Sequence, residues 1–170
     1  MKPPFLVADP APYPPLRVSG PNLRAAMKLS QGLACPKSEL SAVAAYEYQH
    51  WTLAKREPEL ADTVRRIAQV EMHHLDILGR LIVLLGGDPR FACEQRGGRI
   101  SWNGGMISCC QEVRHVLLGN IADEQKAAEF YRTAAAEMTD PGVAAVLRRL
   151  ALDEALHVEI FTRFLKTMPD

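Results

Sequence analysis

A displacement of 83 residues lays one stretch of this chain over another with its apolar positions in register. Leu60, Val64, Ile67, Glu71, His74, Leu78, Leu81 and Leu85 fall on Val143, Leu147, Leu150, Glu154, His157, Phe161, Phe164 and Met168. The steps alternate four and three, the spacing that returns side chains to one face of an α-helix. Each copy is therefore a long helix with an apolar stripe, and in each a Glu-x-x-His pair lies on that stripe. Flanking positions repeat as well: Arg65 and Arg66 recur as Arg148 and Arg149, Asp76 as Glu159 and Arg80 as Arg163. A buried carboxylate costs on the order of several kcal/mol unless it is paired or bound to a metal. Two such pairs in apolar seams demand compensation.

The segments upstream of the two copies supply a complement. Glu39, Ala42 and Tyr46 are spaced ExxAxxxY, and Glu124, Ala127 and Tyr131 repeat the pattern. Glu39 precedes Glu71 by 32 residues and Glu124 precedes Glu154 by 30, so each half offers a glutamate helix followed by a Glu-x-x-His helix. One Glu from each of two helices and Glu-x-x-His from each of the others is the ligand set of di-metal four-helix bundles. The expected metal ligands are Glu39, Glu71, His74, Glu124, Glu154 and His157. Four carboxylates are neutralised by two divalent ions, and carboxylate with imidazole suits iron, manganese or zinc. Tyr46 and Tyr131 lie two turns from their glutamates on the same face, placed to support a ligand from behind.

Read in order, the chain is expected to be all-α. Residues 1–37 form an extended arm carrying seven prolines before residue 22 (Pro3, Pro4, Pro10, Pro12, Pro14, Pro15 and Pro21), followed by a short helix capped by Asn22 that ends before Gly32. The arm is expected to pack along the bundle or a neighbouring subunit. Residues 38–170 form one four-helix domain, with helices near 38–56, 58–85, 107–138 and from Asp140-Pro141 onward. The long segment between the second and third helices, with Gly97, Gly98, Gly104 and Gly105, suits a crossover along the bundle.

Composition excludes several classes of partner. Lys plus Arg and Asp plus Glu each total 20, so no net field draws the protein to nucleic acid or an anionic membrane. No stretch approaches the roughly 20 apolar residues of a membrane span, and the start from Met1 lacks a leader core. A cytoplasmic homo-oligomer is expected. Cys35, Cys93, Cys109 and Cys110 include no CxxC pair, and the four are expected to be reduced thiols.

Ser38, Glu39, Leu40 and Ser41, followed by Tyr46, Gln49 and Trp51, resemble the first metal-ligand helix of a manganese catalase. Over about 38–85 and 107–165 the chain resembles the ferritin-like superfamily, in the branch of manganese catalases, their spore-coat relatives and rubrerythrins. That resemblance implies Glu39 and Glu124 as terminal ligands, Glu71 and Glu154 as bridging or near-bridging, catalytic ones, and one imidazole per metal. It implies an oxidoreductase with two iron or manganese ions acting on hydrogen peroxide or dioxygen, as a catalase or as a peroxidase with an external electron donor. The alternatives are a metal-handling or spore-coat-like structural protein, or a metal-free bundle whose Glu and His form buried salt bridges. Two features depart from a standard rubrerythrin: the paired CxxC motifs of a rubredoxin-like site are absent, and Ile121 stands where many members carry a further glutamate.

Other polar residues have plainer readings. Glu47 and Glu129 are out of phase with the ligand glutamates. His73 points about 100° from His74, His50 is a packed or supporting histidine, and His115 has no counterpart in the repeat. Trp102, Asn103, Gly104 and Gly105 suit a lid or a subunit contact. Cys109 and Cys110 suit either oxidant sensing or simple burial.

Overall fold

The computed structural model describes residues 6–95 and 98–168; the expectations for Pro3, Pro4, Gly97 and the first five residues lie outside them. Helix α1 (Leu23–Ala34) begins at Asn22, whose side chain accepts the Ala25 amide at 3.0 Å, the preferred chemistry for a first-turn cap. It does not end before Gly32, as expected, but runs through it. A Cβ at Gly32 would lie 2.9 Å from Phe130 Cε1, so this glycine permits a close helix crossing instead of stopping the helix.

Helices α2 (Glu39–Leu53) and α3 (Pro58–Leu84) form the first hairpin. Proline fits the first turn of α3, where its missing N–H has no partner to lose. Past the end of α3, Gly86 takes φ +83°, a conformation that glycine adopts without strain. The crossover then holds a small antiparallel hairpin, β1 (Ala92–Gln95) and β2 (Gly98–Ser101), which pairs Cys93 with Ile100. A single 3₁₀ turn at Gly104–Met106 follows. Helix α4 (Val113–Glu137) starts later than the expected residue 107. The Glu112 carboxylate takes the Arg114 and His115 amides at 2.9 and 2.7 Å and so fixes the start of the helix there. Helix α5 (Pro141–Thr167) is capped by Asp140, which accepts from Gly142 and Val143. Apart from the short hairpin, the fold is the helical bundle expected.

The reading of four reduced cysteines is corrected. Cys35 and Cys93 form a disulfide, with Cα atoms 4.8 Å apart, while Cys109 and Cys110 are free and exposed. The bridge spans 58 residues and ties the hairpin of the crossover to the α1–α2 corner. Spacing along the chain carries no trace of this contact.

The extended arm runs antiparallel to α5. Val7 lies against His157, Asp9 against Asp153, Ala11 against Arg149, and Ser19 donates to Asp140. A Cβ at Gly142 would meet the Arg17 carbonyl at 2.7 Å, so glycine allows the arm to cross the start of α5. The bundle holds two apolar clusters. One joins α1 to the C-terminal half of α3 and the first half of α5 through Leu29, Leu78, Leu81 and Leu147; the other joins α2 to the N-terminal half of α3 and the end of α5 through Leu53, Val64, Ile67 and Phe161. Between them lies a polar layer. No helix among the described residues is long and apolar enough to cross a membrane.

Candidate metal centre

The six expected ligands meet in that layer. Glu39, Glu71, His74, Glu124, Glu154 and His157 are all buried, His74, Glu154 and His157 completely. Each histidine turns Nδ1 toward three carboxylates. His74 Nδ1 stands 3.0 Å from Glu71 Oε2, 3.1 Å from Glu154 Oε1 and 3.7 Å from Glu39 Oε2. His157 Nδ1 stands 2.9 Å from Glu71 Oε1, 3.3 Å from Glu154 Oε2 and 3.7 Å from Glu124 Oε1. Glu71 and Glu154 therefore divide their oxygens between the two histidines, whereas Glu39 and Glu124 serve one side each. The result is two four-residue clusters sharing Glu71 and Glu154, with donor atoms within 4.8 Å of one another in each.

Several of these contacts are close without being hydrogen bonds. Glu71 Oε1, both Glu154 oxygens and His157 Nδ1 are buried and make none, although each lies near an opposite group. Orphaned buried carboxylate oxygens are costly, and two divalent ions would satisfy them. The donor set fits that pair of ions: four carboxylates and two imidazoles, one imidazole per position.

The protonation pattern of the cluster by itself points the same way. Burial, then the charges of Glu71 and Glu154, push Glu39 and Glu124 well above the usual carboxylate range. Burial works to raise Glu71 too, but the His157 and His74 rings outweigh it and hold Glu71 low. Burial opposes charging of His74 and His157, yet the surrounding carboxylates, led by Glu154 for His74 and Glu71 for His157, raise both well above the ordinary range. Protons thus collect where cations would sit.

The tyrosines cross the bundle. Tyr46 on α2 donates to Glu124 Oε1 on α4, and Tyr131 on α4 donates to Glu39 Oε1 on α2. Each hydroxyl holds the glutamate of the opposite half, and not the one on its own helix. One further turn along, Gln49 and Asn120 exchange reciprocal amide hydrogen bonds at 2.9 and 2.8 Å. A cavity of about 380 Å³ opens between α2 and α4, lined by Glu39, Glu71, Glu124 and Glu154 and also by Met106, Ile107 and Cys110 of the crossover. Lys37 and Asp123 form an ion pair between the α1–α2 corner and α4, and both line the cavity.

Sequence reasoning missed what stands behind the histidines. His74 Nε2 donates to Asp153 Oδ2 at 2.9 Å, and His157 Nε2 donates to the Val7 carbonyl at 2.8 Å. Asp153 is fully buried, accepts the Tyr13 hydroxyl and the Asp9 amide, and forms an ion pair with Arg149. Burial alone would raise its carboxyl, but these partners, His74 first, hold it down at about 2. The signal was present in the repeat, where Asp153 matches Val70, an acid against an apolar residue. His73 is exposed and meets the Tyr13 ring edge-on at 4.7 Å; His50 Nδ1 lies 2.9 Å from the Ala61 carbonyl; His115 is exposed beside Glu112. Glu129 is exposed, and Trp102 donates to Ser41 Oγ at 2.9 Å, fastening the crossover to α2.

Residues 33–165 match the family model described as rubrerythrin. Among curated protein sequences none matches the chain. In fold, the chain is similar to the manganese catalase KatB from Anabaena PCC7120, at 23% identity over 98% of this chain and 84% of that one, with a TM-score of 0.82. It is also similar to the bacterioferritin of Rhodobacter capsulatus, at 22% identity over 86% of each chain and a TM-score of 0.72. The bacterioferritin of Desulfovibrio desulfuricans aligns at 23% identity over 84% of this chain and 78% of that one, with a TM-score of 0.70. The bundle is thus ferritin-like, with buried Glu and His clusters that suggest a dinuclear metal site.

Proposed function

Since the chain belongs to the rubrerythrin family, we propose that it is a di-metal oxidoreductase that consumes hydrogen peroxide or dioxygen at the centre formed by Glu39, Glu71, His74, Glu124, Glu154 and His157. The observation that carries this reading is the sharing of Glu71 and Glu154 between two histidines in a buried cluster that borders an open cavity. Two bound iron or manganese ions would supply electron exchange with the oxidant. Glu71 and Glu154 would hold both ions, and Glu39 with His74 and Glu124 with His157 would complete one position each. Tyr131 and Tyr46 restrain the two terminal carboxylates, so that the ligands are held in place before an ion arrives. The cavity between α2 and α4 admits a small neutral oxidant to the same carboxylates. A glutamate of the centre would take the proton that peroxide gives up.

Titration of metal-loaded protein with hydrogen peroxide tests the reading. Oxygen release without a donor supports catalase chemistry, and peroxide consumption only with a reductant supports a peroxidase that takes electrons from an external donor. Stoichiometric metal uptake with turnover of neither peroxide nor dioxygen, in iron and in manganese forms alike, would replace the reading with metal handling. A homo-oligomer is part of the proposal, supported by large apolar side chains left on the surface, such as Trp51 at 69% and Met27 at 65% exposure. Light scattering giving a monomer mass would remove that part.

A further inference from the structure

The repeat makes the two halves of the centre equivalent in their facing carboxylates, but the groups behind the histidines break the equivalence. Behind His74 is a carboxylate, Asp153 Oδ2 at 2.9 Å; behind His157 is a neutral carbonyl, that of Val7 at 2.8 Å. Val70, the repeat counterpart of Asp153, brings no acceptor to the other half. The N-terminal arm is involved on both sides. It supplies the Val7 carbonyl directly, and it secures Asp153 through the Asp9 amide at 2.7 Å and the Tyr13 hydroxyl at 2.5 Å. Arg149 locks this arrangement. Its guanidinium pairs with Asp153 at 2.8 Å, donates to the Ala11 and Asp9 carbonyls at 2.6 and 2.7 Å, and lies 4.0 Å over the Tyr13 ring.

We propose that residues 7–13 of the arm form the outer wall of the metal centre and make its two positions unequal, the ion on the His74 side being bound more tightly than the ion on the His157 side. This rests on the six-ligand reading above. The hydrogen bonds from each Nε2 leave Nδ1 as the donor toward the cluster, and a carboxylate behind the ring raises that donor's basicity more than a neutral carbonyl does. The coupling is reciprocal: if the docked arm favours bound metal, bound metal favours the docked arm. Asp153 and Tyr13 are thus positioning residues that act through His74.

Zinc(II) titrated into the full-length, metal-stripped protein provides the test, followed by calorimetry and by the imidazole ¹⁵N resonances. Two steps separated by about tenfold or more in affinity are expected, with the His74 resonances shifting at the first equivalent and those of His157 at the second. Asp153→Asn keeps an acceptor while removing the charge, and should weaken the first step by roughly 10- to 100-fold and merge it with the second. Tyr13→Phe should weaken the same step less. Hydrogen exchange at the Asp9 amide should slow on zinc loading in the natural protein and change little in Asp153→Asn. His74 and His157 shifting in parallel, or a ratio of the two steps untouched by both substitutions, would overturn the proposal while leaving the ligand set intact. Absence of any zinc binding would overturn the ligand set itself. If Asp153→Asn does not fold, the order of the histidine shifts and Tyr13→Phe still decide the matter.

Discussion

The crossed hydroxyl bonds, Tyr46 to Glu124 and Tyr131 to Glu39, make each terminal carboxylate depend on the opposite half of the molecule. Tyr131→Phe should therefore weaken the proposed metal position at Glu39 and His74, and Tyr46→Phe the proposed one at Glu124 and His157, each by roughly tenfold. Calorimetric titration checks this, and unchanged affinity at both positions would show the hydroxyls to be idle. The Gln49–Asn120 pair is buried and fully mutual. Asn120→Leu leaves the Gln49 amide without partners and should cost about 1–3 kcal/mol in chemical denaturation, while adding Gln49→Leu should recover much of the loss. The tyrosine positions were legible because ExxAxxxY recurs in register. Their partners were not, because helical spacing states which face a hydroxyl occupies and not which helix stands across from it.

Among the elements, the crossover is the one that pattern reading described least well. Its length announced a run along the bundle, but the hairpin of β1 and β2 and its disulfide to Cys35 depend on where the chain returns in space. Closing a loop of 58 residues removes unfolded-state entropy worth about 4 kcal/mol in the chain-entropy account. Cys93→Ser should thus lower the unfolding free energy by about 2–4 kcal/mol, and a reductant should have the same effect on the natural protein and none on the variant. Equal stability of oxidised and reduced protein would show that the bridge only joins parts already held. The corner it clamps also holds Ser41, which donates to the Cys35 carbonyl at 2.9 Å and receives Trp102. This places the fastening two residues from Glu39, at the start of α2.

For the whole molecule, the polar layer sets opposite pH trends with and without metal. In the metal-free protein, Glu39, Glu124, His74 and His157 all have folded-state affinities for protons above their ordinary values. The folded chain then binds more protons than the unfolded one, and stability falls as pH rises through the ordinary carboxylate and imidazole ranges toward the raised folded values. Each extra proton contributes a slope of about 1.4 kcal/mol per pH unit. Bound metal displaces those protons, so the loaded chain binds fewer than the unfolded state below about pH 6.5, and its stability rises with pH there. Denaturation curves of stripped and loaded protein between pH 5 and 8 should diverge with pH, and parallel curves would mean that the cluster holds neither those protons nor those ions.

What the sequence determined by itself is the bundle and the meeting of the six polar side chains. A period near 3.5 fixes which face of each helix is apolar, and an 83-residue repeat puts Glu71 with His74 and Glu154 with His157 at the same height on two such faces. A packing that buries those two stripes against each other at one level brings the four together, with Glu39 and Glu124 standing 32 and 30 residues upstream. The backing of the histidines was decided only by the tertiary structure. The Val7 carbonyl has no side-chain signature, Asp153 gains its partners only when a prolinerich arm lies antiparallel to α5, and Cys35 finds Cys93 only when the crossover folds back. These are contacts between segments whose approach no periodicity encodes, because an extended arm or loop has no repeating face and is placed by the bundle surface it lands on.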